Sequence, residues 1–107
     1  MDFPLIIIDG CDVSFYNNIT IVTEDLEWID VKGGIYRGYD YTGHPLSLTL
    51  DIRCNVQVTL DLTKPNSLNE LCNHIKDCLV RYHKGENIPD EPEQILKMAM
   101  GFYNVYG

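Results

Sequence analysis

The sequence predicts an α+β fold: a small antiparallel β-sheet, built from meanders and hairpins, with helices packed on one face. Three observations point there. Two segments, "PLSLTLDI" and "NVQVTLDL", alternate strictly between apolar and polar residues, the pattern of a strand with one buried and one wet face. Two later segments place apolar residues at helical spacing behind start signals. Between the strands lie Asp-x-x-Gly tetrapeptides, "DVKG" and "DYTG", suited to type I turns with Asp first and Gly last.

Taken in order, "PLIIID" and "CDVSFY" read as one or two short strands broken at Asp9-Gly10, a turn dipeptide. "NNITIVTEDLEW" carries two readings. Ile and Thr favour a strand, and Ile19 and Ile21 alternate. Ile19, Val22 and Leu26 also fall at helical spacing, with Asn17 or Asn18 able to cap. The two Asp-x-x-Gly turns bracket a strand at about 34–39. In the first long alternation Leu46, Leu48, Leu50 and Ile52 share a face; in the second Val56, Val58, Leu60 and Leu62 do.

Pro65 ends the last strand, and "SLNE" (67–70) predicts a capping box opening a helix. Its apolar stripe runs through Leu68, Leu71, Cys72, Ile75, Cys78, Leu79 and Tyr82, with Gly85 just beyond the end. "IPDEPE" predicts a second helix, capped by Asp90 with Pro92 in the first turn, burying Ile95, Met98, Ala99 and Phe102. Leu96 and Met100 point elsewhere on that helix and offer a self-association surface. With no linker or repeat dividing it, residues 1–107 read as a single domain.

Turn chemistry sorts the tyrosines of "GGIYRGYDYTG". A loop at Tyr41-Thr42-Gly43 with a glycine bulge sets Asp40 opposite His44, Gly38 opposite Leu46 and Tyr36 opposite Leu48. Tyr36 then joins the leucines, while Arg37 and Tyr39 take the other face and Tyr41 the loop tip.

The charge balance narrows function. Eight basic residues against sixteen acidic ones give a net charge of −8. Residues 1–51 hold nine acids and two bases, net −7, and the remainder holds seven acids and six bases, net −1. Such a surface repels nucleic-acid phosphates and attracts basic surfaces. Tyrosines among carboxylates fit a protein-binding hot spot for a basic partner. The residues available for it are Glu24, Asp25, Glu27, Trp28, Asp30, Arg37, Tyr39, Asp40 and Tyr41. Solvated acids and a core Trp28 would explain the same residues without a partner.

No catalytic motif is present, so no enzyme activity, cofactor or catalytic residue is expected. His74 and Cys78 stand one helical turn apart, but two ligands do not make a metal site, and none is expected. Cys11, Cys54, Cys72 and Cys78 lack a Cys-x-x-Cys spacing and read as reduced, mostly buried thiols of a cytoplasmic protein. No stretch is apolar for long enough to span a bilayer, and no membrane partner is expected.

The stretch 12–48 carries, in order, Leu26-Glu27, Asp30-Val31, Gly34 with Tyr36, Tyr39-Asp40, Gly43, and Leu46 with Leu48. It resembles small bacterial immunity proteins of polymorphic-toxin and contact-dependent growth-inhibition systems. Their N-terminal pattern runs as a short strand, a helix, Leu-Glu-x-x-Asp-Val, Gly-x-Tyr, Tyr-Asp-x-x-Gly and a Leu-x-Leu strand. The match covers about a third of the chain. This chain differs from the family in "ITIV", where the family is richer in Ala and Glu. The resemblance implies a helix over "NITIVTEDLE". It also implies a protein that binds and neutralises a cognate toxin domain, often a nuclease, in the producing cell; it assigns no contact residue. An acidic binder of this kind would occlude the basic active-site surface of its toxin. A generic acidic interaction or regulatory module is the alternative.

Overall fold

The computed structural model describes residues 1–107. In chain order the elements are β1 (Leu5–Asp9), β2 (Asp12–Tyr16), α1 (Ile19–Asp25), α2 (Trp28–Lys32), β3 (Arg37–Tyr39), β4 (Leu46–Leu50), β5 (Val56–Leu60), α3 (Leu68–Tyr82), α4 (Pro92–Phe102) and β6 (Asn104–Tyr106). The class is the expected one, α+β with a small sheet.

The strands divide into two sheets. The larger runs β3-β1-β2-β6, and the smaller is the β4–β5 hairpin. β1 pairs antiparallel with both β2 and β3, whereas β6 lies parallel to β2. The β1–β2 hairpin turns through Gly10-Cys11, with Gly10 at φ +63°. A positive φ at the first loop position matches the twist of the flanking strands, and glycine adopts it without strain.

Both faces of the larger sheet are covered. On one, Ile6, Ile8, Val13, Phe15 and Tyr39 pack against Leu71, Ile75 and Leu79 of α3 and Ile95, Leu96 and Ala99 of α4. On the other, Leu5, Ile7 and Tyr16 meet Val22 of α1, Leu26, Val31 of α2, and Leu46, Val56 and Val58 of the small sheet. The unbroken run Leu5–Ile8 is therefore buried throughout. Each of its side chains finds a dry neighbour, on alternate faces.

Residues 19–25 are helical despite their β-branched content. Asn18 caps them, its Oδ1 accepting from the amides of Thr20 and Ile21 at 2.8 and 3.2 Å. Val22 and Leu26, one turn apart, both enter the core. Burial of an apolar face outweighs propensities that differ by tenths of a kilocalorie per residue.

Several local expectations are corrected. "DVKG" is the end of α2 and not an isolated type I turn; the positive φ falls on Gly34, at +70°. Ser67 makes no cap; Asn66 Oδ1 accepts from the Leu68 amide at 3.0 Å instead. Asp90 does not cap α4, because its carboxylate is taken by Lys76. Leu96 is 1% exposed and Met100 is half-buried against the same core, so the surface proposed for self-association does not exist. Ile52 and Leu62 lie past the strand ends and stand in solvent. Cysteine is the largest correction. Cys11 and Cys78 are joined in a disulfide, Cys72 is a buried thiol and Cys54 an exposed one. Two of the four cysteines expected as reduced thiols are therefore paired. No helix is long and apolar enough to cross a membrane.

Candidate functional site

The expected turn register is present. Asp40 donates its amide to the His44 carbonyl at 2.9 Å, and Tyr39 pairs with Pro45. Gly38 accordingly faces Leu46, and a Cβ there would lie 3.1 Å from Ile7 Cδ1 and 3.2 Å from the Leu46 side chain, a tight fit. Tyr36 and Tyr39 do fall on opposite faces, Tyr36 with the leucines.

The second face is not open, however. Tyr39 is 6% exposed and belongs to the core beneath α3. Asp40, at 3%, is a structural knot: its carboxylate accepts from the amides of Asp2, Thr42 and His44 and from the Thr42 hydroxyl. Burial raises its pKa, but these four donors outweigh that, and the carboxyl is held below its usual range. Tyr41 is half-buried against the α3–α4 core. Arg37 is exposed and reaches Glu70 at 4.0 Å. Tyr39 and Asp40 are therefore corrected to scaffold, and Tyr41 keeps part of its surface open at the hairpin tip.

The acidic segment is exposed. Glu24, Asp25, Glu27 and Trp28 all face solvent, Trp28 with 42% of its surface open. Trp28 is therefore not a core plug. Asp30 is partly covered and accepts from the Tyr36 hydroxyl at 3.3 Å. Beside this segment lies a cleft of about 190 Å³ that the sequence reading missed. Its walls are the β1–β2 hairpin (Asp9, Asp12, Ser14, Tyr16), Asp25 and Leu26 of the α1 end, Tyr36, and Asn104 and Tyr106 of β6. The rings of Tyr16 and Tyr106 stack with centroids 5.0 Å apart. The Tyr16 hydroxyl donates to Asp25 Oδ2 at 2.5 Å. Burial, then the Asp25 hydrogen bond, pushes the Tyr16 pKa far up, so the phenol stays protonated and locked to its carboxylate. Tyr36 is raised as well, by burial and by Asp30.

Leu26 lines both this cleft and a second groove formed by Glu24, Glu27, Trp28, Cys54 and Asn55. The two depressions are neighbours across Leu26, and both carry acidic and aromatic side chains. No lysine or arginine lines either. The four ion pairs of the molecule engage Asp61, Glu70, Asp90 and Glu93, all from residues 52–107. None of the nine acids of residues 1–51 has a cationic partner within the chain. Such a surface can hold a cation or a basic side chain through carboxylates and ring faces.

Asp9, Asp12, Tyr16 and Tyr106 enter the site through sheet pairing. Tyr106 reaches Tyr16 only because β6 runs beside β2. The charge count of residues 1–51 was the one sequence signal for this face. No protein-family model, curated protein or solved structure matches the chain.

Proposed function

We propose that the chain is an acidic binding protein of the immunity type, which neutralises a basic toxin domain, for example a nuclease, by covering its active-site surface. What supports this reading most is the uncompensated charge. The carboxylates of residues 1–51 have no internal cationic partners. Three of them, Asp9, Asp12 and Asp25, line the tyrosine-bearing cleft, and the exposed Trp28 stands with Glu24 and Glu27 in the neighbouring groove. A partner bearing lysine and arginine would supply the missing charge, and Trp28 would anchor the contact. On this reading Glu24, Asp25, Glu27, Trp28 and Asp30 remain contact residues, joined by Asp9 and Asp12. The chain itself performs no chemistry and binds neither nucleic acid nor membrane. It acts in the cytoplasm of the producing cell, where reducing conditions favour Cys11 and Cys78 as thiols.

Co-expression with a candidate basic toxin domain, for example a nuclease, is the test. The reading requires survival of the cell and co-elution of the purified pair at low salt. Continued killing, together with failure to co-elute, sinks it. Association should also slow steeply as ionic strength rises, since the steering field is screened within about 10 Å at 0.1 M salt. A generic interaction module would leave the toxin active and bind some other basic protein.

A further inference from the structure

The β1–β2 turn and one face of α3 bring together three metal-ligating side chains that do not belong to the acidic cleft. Cys11 sits at the tip of the hairpin, while His74 and Cys78 stand one helical turn apart on α3. The sequence brought only two of these into view; the third arrives from 67 residues away. The ligand atoms of all three lie within 4.8 Å of one another. His74 Nε2 is 3.7 Å from Cys78 Sγ. In a tetrahedral zinc site, bonds of about 2.3 Å to sulfur and about 2.0 Å to nitrogen place ligand atoms roughly 3.5–3.8 Å apart. Opening the disulfide needs only a small separation of the two sulfurs to reach that spacing.

We propose that the reduced protein binds one zinc ion through Cys11, His74 and Cys78, and that the disulfide is the metal-free, oxidised form of the same site. The exchange balances simply. A dithiol reductant delivers two electrons and two protons to the Cys11–Cys78 bond and becomes a disulfide itself. Zinc then displaces both thiol protons. In the oxidised form the His74 ring must carry its proton on Nε2, because the atom 2.5 Å away is the Gly10 carbonyl oxygen, an acceptor only. Ligation through Nε2 moves that proton to Nδ1 and turns the lone pair onto the metal. Cys11 borders an open hollow of about 330 Å³ with Asp12, Tyr82, His83 and Tyr103. That hollow leaves the fourth coordination position open to a water molecule. Metal and disulfide exclude each other, since both use the two sulfurs, so zinc should protect the reduced chain from oxidation.

The experiment is zinc uptake by the purified full chain, measured by equilibrium dialysis after reduction and in the untreated disulfide form. One zinc per reduced chain and none per oxidised chain are expected. His74→Ala keeps the disulfide and tests the ligand set without removing a cross-link; it should lower zinc affinity at least tenfold. Cys11→Ser should do the same, with circular dichroism confirming that each variant is folded. Cys54→Ser and Cys72→Ser should leave uptake unchanged. Cobalt in place of zinc should give thiolate charge-transfer absorption, lost in Cys11→Ser. No uptake by the reduced chain overturns the proposal, as does equal uptake by the oxidised chain. Undiminished affinity in His74→Ala overturns it too.

Discussion

The two faces of the larger sheet are covered by different means, and the difference leaves one face sealed and the other open at its edge. One face lies under α3 and α4, helices of 15 and 11 residues. They cover it completely with aliphatic and aromatic side chains, and its largest members, among them Phe15, Leu71 and Ile75, have no exposed surface. The other face lies under α1 and α2, of 7 and 5 residues, and the small β4–β5 sheet. Such short pieces cover the apolar residues but leave an opening at their edge, and the acidic cleft fills it. Long helices make a seal; short ones leave room for a site.

Substitution of the sealed face should have the largest effect. Phe15→Ala removes a fully buried ring and should cost about 3–5 kcal/mol in chemical denaturation. A loss below about 1 kcal/mol would mean that this face is not the main source of stability. Asp40→Asn comes next, at about 1–3 kcal/mol, because the buried turn loses charge-assisted acceptors. Its folded pKa lies below the ordinary 3.8, so its contribution is complete above that value and is lost as pH falls through the lowered one. Asp40→Asn should therefore flatten the acid limb of the stability curve.

Smaller effects belong to the cleft. Tyr16→Phe keeps the stacked ring and loses one hydrogen bond, so about 0.5–1.5 kcal/mol is expected. The folded pKa of Tyr16 is raised above its ordinary 10.0. Its stabilisation is thus full below that value and is lost as pH rises beyond it, a decline that Tyr16→Phe should abolish. Asp9→Asn with Asp12→Asn should be the mildest, within about 0.5 kcal/mol of wild type in stability. The same pair should slow association with a basic partner several-fold at low salt and little at high salt. If the pair unfolds the protein, the contrast between the two faces fails.

Local pattern and tertiary contact contributed differently to what could be foreseen. The alternation at 46–50 and 56–60, the stripe of α3 and the register of Asp40 against His44 all rest on residues close in sequence. Strand periodicity, helical periodicity and turn chemistry act over a few positions, so these features were legible. Residues 19–25 were ambiguous because β-branched side chains favour a strand while the spacing of Val22 and Leu26 permits a helix. Packing against the sheet decided between them. The acidic bias of the first half was legible as a count, but not as a surface.

The α+β class, the two long helices, the β4–β5 hairpin, the opposed faces of Tyr36 and Tyr39 and the acidity of residues 1–51 all follow from local pattern. The sealing of the Tyr39 face, the placement of Tyr106 beside Tyr16 by β6, and the meeting of Cys11 with His74 and Cys78 come from contacts made by distant elements in the assembled fold. Each of the latter depends on segments separated by tens of residues, from Tyr39 beneath α3 to Tyr106 beside Tyr16. Periodicity states which side chains share a face of one element, but it carries no information about which distant element will cover that face.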